Sequence, residues 1–159
     1  MTTDKLGTLE GNVYAAVLNV ILDLAYSVAR VSAAPEMIVD HLEHSDATTR
    51  VAQIRVLGGA IARVRADATA FAHRSRSVMV NVAALYDRAE DAPRYHAWAD
   101  AFRVALQKGT TGAYVNFLAD DGPARIHEAY PDPTWDKLRA IKQRYDAANL
   151  FRLNQNVPP

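Results

Sequence analysis

Cysteine is missing from all 159 residues, which excludes disulfides, thiolate metal sites and thiol catalysis and fits a reducing compartment. Neither charge is in excess: Lys plus Arg and Asp plus Glu stand at 18 each, so the positive stripe that holds nucleic acid is not expected. Long apolar runs are also lacking. The best candidate, "VYAAVLNVILDLAYSVA" at 13–29, carries Asn19 and Asp23 in its middle. It falls short of the ~20 residues that a membrane-spanning helix needs. Ahead of it Lys5 stands against Asp4 and Glu10, without the basic stretch that opens a signal peptide. A cytoplasmic protein with no membrane partner is expected. Nucleotide and hydrolase signatures are missing too: neither "LGGA" nor "KGTTGA" spaces its glycines as a phosphate cradle does, and no G-x-S-x-G occurs. His41 and His44 in "DHLEH" lie three apart, which misses the four-residue zinc spacing and reads as an exposed helix face, so no metal is expected.

Half of the residues are hydrophobic, enough for one compact domain of this length. Val17, Ile21, Leu24 and Val28 recur at helical spacing, predicting an N-terminal amphipathic helix over 10–30. "APEMIVDHLEH" at 34–44, with Pro35 near its start, predicts a shorter second helix. "RVAQIRVLGGAIARV" at 50–64 alternates apolar and polar residues around Gly58 and Gly59, as two strands meeting at a turn or one kinked strand would. "SVMVNVAALY" at 77–86 reads as a buried strand, with a helix as the alternative. Tyr95, Trp98, Phe102 and Leu106 mark a helix, a short one is expected around 122–129, and Asp132-Pro133 opens another through Tyr145. The ending from Asp146 has no periodicity and reads as an irregular tail. The fold class is α+β, a mainly antiparallel sheet with helices on one face. A helical segment over 1–45 is expected to precede a unit over 46–159.

"GAYVNF" at 112–117 reads as a strand with Tyr114 and Asn116 on one face. A phenol is a general base only when ionised, against an ordinary pKa of about 10, and an amide both donates and accepts. Facing a ligand, the pair would be reactive; on an ordinary edge strand, the hydroxyl would simply find a backbone partner. "FAHRSR" sets His73 beside Arg74 and Arg76, either a solvated basic loop or a contact for an anionic substrate.

From "GAYVNF" onward the chain resembles the C-terminal end of berberine-bridge-enzyme-like FAD-linked oxidases, in the vanillyl-alcohol-oxidase-type flavoprotein superfamily. The resemblance rests on "GAYVNF", on "KLRAIKQRYDAANLF" and on the closing "RLNQNVPP"; with "GGAIARVRADATAFAHR" and "VMVNVAALY" it extends over roughly 45–159. It implies a substrate domain whose sheet roofs a flavin, and oxidation of alcohols, sugars or amines by hydride transfer to FAD. It also implies Tyr114 as base, Asn116 beside substrate and flavin, His73 and Arg74 near the substrate, and Asn154 and Asn156 near the flavin. The family's N-terminal FAD-binding domain of ~200 residues and its flavin-tethering histidine loop have no counterpart in this sequence. The expectation is therefore a truncated or stand-alone substrate domain taking a small-molecule ligand. One alternative is a subunit of a split oxidase with a separate FAD-domain chain; another is a cofactor-free, homo-oligomeric binding module.

Overall fold

The computed structural model describes residues 14–22, 28–107, 111–118 and 122–159. Three antiparallel strands, β1 (Tyr14–Leu22), β2 (Thr49–Val56) and β3 (Val78–Tyr86), form a sheet in the order β1-β3-β2. Five helices join them: α1 (Val28–Glu43), α2 (Ala60–Arg63), α3 (Ala92–Gln107), α4 (Pro123–Ala129) and α5 (Asp132–Tyr145). The class is α+β.

β3 runs through the middle because nearly every residue of "VMVNVAALY" has something apolar to meet. Val78, Val80 and Val82 point to one face and pack with Phe102 and Leu106 of α3 and with Met37, Ile38 and Leu42 of α1. Further along that face Tyr86 stacks on Tyr95 of α3 at 4.7 Å and on Tyr14 of β1 at 5.8 Å. Trp98 fastens the two large helices: its indole N–H donates to the His41 carbonyl at 2.9 Å, and its ring meets Phe102 edge-on. The opposite face begins at Met79, which packs with Leu57, Ile61, Phe71, Tyr114 and Phe117. The alternation of β3 therefore sets a structural core on one side and the candidate site on the other.

The N-terminal helix expected over 10–30 is corrected within the described residues: 14–22 is β1, paired with β3 along its whole length, and the helix begins at Val28. Apolar residues occupy almost every position of "YAAVLNVIL", so helix and strand periods fit equally, and the open side of β3 decides. Residues 10–13 and 23–27 lie outside the described part. Pro35, expected near a helix start, sits inside α1. The strand pair expected over 50–64 is half present. β2 ends at Val56, and Gly59, at φ 59°, turns the chain off the sheet into α2 through a conformation that glycine adopts without strain. The helices expected over 91–106, 122–129 and 132–145 are α3, α4 and α5, although Asp132 lies in the first turn of α5 and Pro131 holds the capping position.

The tail is irregular but fastened. Asp146 accepts from Lys142 Nζ at 2.5 Å and from the backbone N–H groups of Leu150 and Phe151 at 2.7 and 3.0 Å, while Lys142 also donates to the Phe151 carbonyl. Asn149, at φ 50°, turns the chain inside this clasp. The Lys142 ammonium, helped by the two amides, holds the Asp146 carboxyl below the usual carboxylate range. A carboxyl whose folded pKa is depressed stabilises the fold above its unfolded pKa and loses that contribution as pH falls through the folded value. Acidification below about pH 4 should thus loosen residues 147–151 first. Asp146→Asn should give the same loosening at neutral pH; hydrogen exchange at the Leu150 and Phe151 amides checks both.

Candidate functional site

"GAYVNF" is not a strand. Tyr114 is extended, at φ −106° and ψ 117°, and Val115–Phe117 close a single 3-10 turn in which the Phe117 amide donates to the Tyr114 carbonyl at 2.9 Å. The alternating pattern was sound, but no neighbouring strand pairs with the segment among the described residues. The pairing of side chains survives by another route: the turn brings Asn116 back so that its Nδ2 donates to the Tyr114 hydroxyl oxygen at 2.8 Å. The amide therefore fixes where the phenol oxygen sits.

Aromatic rings pack around the Tyr114 ring. Phe71 meets the Tyr114 ring edge-on at 5.7 Å, Phe117 lies tilted at the same distance, and Arg55 and Arg74 cap the outer faces of Phe117 and Phe71 at 4.9 and 5.0 Å. Tyr130 is also close: burial, then the proximity of Tyr114, pushes its phenol above the usual tyrosine range. On the sheet, Asn81 lies two residues from Met79 on the same face, and its buried Oδ1 has no hydrogen-bond partner among the described residues. Gln53 sits opposite Asn81 in register, with its side-chain carbonyl accepting from Arg55 at 2.7 and 3.1 Å. A buried acceptor that finds no donor costs about 1–3 kcal/mol, so Asn81 Oδ1, unpartnered among the described residues, is a place that suits a ligand donor.

The other nominated residues are distributed around these rings. His73 is buried; its Nε2 lies 3.0 Å from the Glu128 carbonyl, to which it donates, and its ring meets Phe71 edge-on. Arg74 donates to the carbonyls of Phe71 and Ile61 and to the Thr69 hydroxyl. Both residues thus sit one ring away from Tyr114 and fix Phe71. On its far side His73 also lines a polar cleft of about 510 Å³ with Arg76, His127 and Asp132. In the tail, the Gln155 side chain donates to the Leu118 carbonyl at 2.7 Å, which ties the tail to the segment just after the Tyr114 turn. Beside it, Asn156 has a buried Oδ1 without a partner among the described residues, and Asn154, at φ 59°, is an exposed turn residue. Among the described residues, no cluster of His, Asp and Glu is placed to hold a metal ion, and no helix is long and apolar enough to cross a membrane.

Burial, then the nearby Arg76 charge, lowers the His73 pKa below the ordinary 6.5. The folded state therefore resists protonation at His73, and stability falls as pH drops from about 6.5 towards the lowered folded value. The thermal midpoint should decline over that window, and His73→Gln, which keeps a donor for the Glu128 carbonyl, should flatten the decline.

A family model described as "Berberine and berberine like" matches residues 113–158, the stretch that holds the Tyr114 turn, α5 and the tail. An uncharacterized FAD-linked oxidoreductase, YgaK, of Bacillus subtilis (strain 168) is 30% identical over 118 residues, which is 74% of this chain and 26% of that protein. The chain belongs to the berberine-bridge-like family of FAD-linked oxidases. The family's xylooligosaccharide oxidase from Thermothelomyces thermophilus is 33% identical over 108 residues, 63% of this chain and 22% of its own length. In structure the chain is similar to a chitooligosaccharide oxidase, with a TM-score of 0.76 at 19% identity over 94% of this chain and 33% of that one. A single-site variant of berberine bridge enzyme gives a TM-score of 0.72 at 14% identity over 92% of this chain and 33% of its own. Across the curated relatives the chain spans 22–27% of their lengths.

Sequence reasoning missed Asn81, Gln53, Phe71 and Phe117 as parts of this site. Asn81 had a visible signal, a lone amide amid the valines of β3. Nothing in the spacing linked it to Tyr114, which packs against Met79 on the face of β3 that Asn81 shares.

Proposed function

We propose that this chain supplies the substrate-facing wall of a FAD-linked oxidase, with Tyr114 as general base and Asn116 as the group that orients it. The observation that carries this reading is the 2.8 Å Asn116–Tyr114 bond on the face where Asn81 Oδ1 has no partner among the described residues. Bound FAD would supply the acceptor for a hydride leaving a substrate carbon. The residues of this chain do the remainder: the Tyr114 oxygen, when ionised, takes the hydroxyl proton of the substrate, Phe71 and Phe117 hold the Tyr114 ring in place, and the Asn81 and Gln53 amides hold neighbouring hydroxyls. His73 and Arg74 serve the substrate side by fixing Phe71. Two relatives are named for oxidising oligosaccharides, which favours a sugar hydroxyl over an amine as substrate.

The fit to flavin is partial and lies on one side. The aromatic rings and the Asn156 Oδ1 acceptor, which has no partner among the described residues, suit the ring of a flavin and its N–H groups, with Asn116 and Asn154 as the further residues on this side. No glycine-rich phosphate cradle occurs among the described residues, so the phosphates call for another unit. A partner surface for that unit, a separate FAD-domain chain in this reading, is at hand: Tyr145 at the end of α5 and Leu150, Phe151 and Leu153 on the tail that the Lys142–Asp146 clasp holds are 73–85% exposed. Such an apolar strip next to the site is an interface in waiting.

An ultraviolet-visible spectrum of the purified protein tests this reading. Flavin bands near ~370 and ~450 nm, alone or only after a flavin-binding chain is added, would support it. Absence of the bands in both preparations would contradict it.

A further inference from the structure

α4 is seven residues long, too short to keep its own direction in water, so its place is set by what its side chains hold. Glu128, Ala129 and Tyr130, at its end, each reach the surroundings of Tyr114. Ala129 is buried with Ala113 and Leu118, the residues that bracket the Tyr114 turn, and Tyr130 packs on the same cluster. The Glu128 carbonyl accepts from His73 Nε2 at 3.0 Å; the His73 ring meets Phe71 edge-on at 6.0 Å, and Phe71 meets Tyr114 edge-on at 5.7 Å. One short element thus supports the phenol both through its backbone turn and through its ring.

The Glu128 side chain sets where that element stands. Its carboxylate is paired with Arg125, one turn earlier, and accepts from Nε2 of Gln107, the last residue of α3, at 3.3 Å. Gln107 in turn accepts from Arg103 Nη1 at 2.5 Å, and Arg103 forks onto Asp100 at 2.8 and 2.6 Å. This chain of polar groups ends on α3, which Phe102 and Leu106 fix in the core. The Arg125 and Glu128 side chains are 10% and 21% exposed, so water screens the pair little and breaking it from one side is costly. We infer that Glu128 is a positioning residue for Tyr114: its carboxylate ties α4 to α3, its carbonyl ties α4 to His73, and together they hold the phenol where Asn116 orients it. The catalytic consequence rests on the reading of Tyr114 as base; the positional one does not.

Two variants approach this joint from opposite sides. Gln107→Ala cuts the tie to α3 and leaves the ion pair in place, while Arg125→Met combined with Glu128→Leu exchanges the pair for apolar groups of similar size, a change that folded proteins commonly tolerate. In both, the Asn116 side-chain amide resonance, identified by its loss in Asn116→Ala, should shift towards that of a solvated amide as its 2.8 Å bond to Tyr114 opens. With a flavin-binding chain and substrate present, kcat should fall by about tenfold or more at nearly constant KM. Neither change should lower the residual rate of Tyr114→Phe any further. An Asn116 resonance that stays in place in either folded variant would overturn the inference, as would an equal loss of rate with and without the Tyr114 hydroxyl, the mark of a general structural role. Gln107→Ala, which leaves every charge in place, decides the question if the double variant does not fold. The amide signal is read without flavin, so a failure of the oxidase reading, with no bleaching in any variant, leaves the positional result standing.

Discussion

Tyr114→Phe should lower substrate-driven flavin reduction by about 10²–10⁴-fold, the usual range for losing a positioned general base. The substitution removes one oxygen and keeps the ring, so the contacts with Phe71 and Phe117 and the 3-10 turn remain in place. The loss should fall on kcat rather than KM, because proton removal belongs to the reacting state. Asn116→Ala should lose less, since the phenol stays and only its orienting donor goes. Single-turnover bleaching of the flavin band, with a thermal midpoint measured alongside, separates chemistry from folding. An unchanged rate in Tyr114→Phe would mean that the phenol serves packing alone.

The largest loss of stability is expected at Phe102. Its side chain is fully buried between α1, α3 and β3, stacks on His41 at 4.7 Å and meets Trp98 edge-on. Phe102→Ala leaves a cavity where these three elements join, at a cost of about 3–5 kcal/mol. For a chain of this size that corresponds to a fall in the thermal midpoint of roughly 6–20 °C. Calorimetry or circular dichroism checks it, and a fall of only a degree or two would mean that the helices hold the sheet without this contact.

Much of the scaffold was legible because its local signals agree. In α3, Tyr95, Phe102 and Leu106 keep a helical period and Pro93 suits a first turn, so the helix is specified before any partner is known. β3 reads as a strand because β-branched residues crowd it. β1 was illegible for the opposite reason: an apolar residue at nearly every position fits either period, and only the vacant side of β3 chooses between them. The site shows the same division. Tyr114 and Asn116 were found as a pair, yet the alternation that suggested a strand was realised as a turn with the same neighbours. Asn81 and Gln53 needed the sheet register to be seen together, and Phe71 needed the loop that Arg74 fastens.

The position of the Lys142–Asp146 clasp gives the "KQRYDAANLF" stretch of this chain a physical role. It holds Phe151 and its neighbours in an exposed arc while Gln155 anchors the same tail beside the Tyr114 turn. The exposed apolar strip and the anchor beside the Tyr114 turn therefore depend on one short segment.

In the proposed reading this chain brings the base to a flavin bound by another unit. Its most direct test is anaerobic mixing of an oligosaccharide with a flavin-binding chain, followed at about 450 nm, with and without this protein. Bleaching that requires this protein and vanishes with Tyr114→Phe is the predicted result. Bleaching that proceeds at the same rate without it, or with Tyr114→Phe in its place, would contradict the claim.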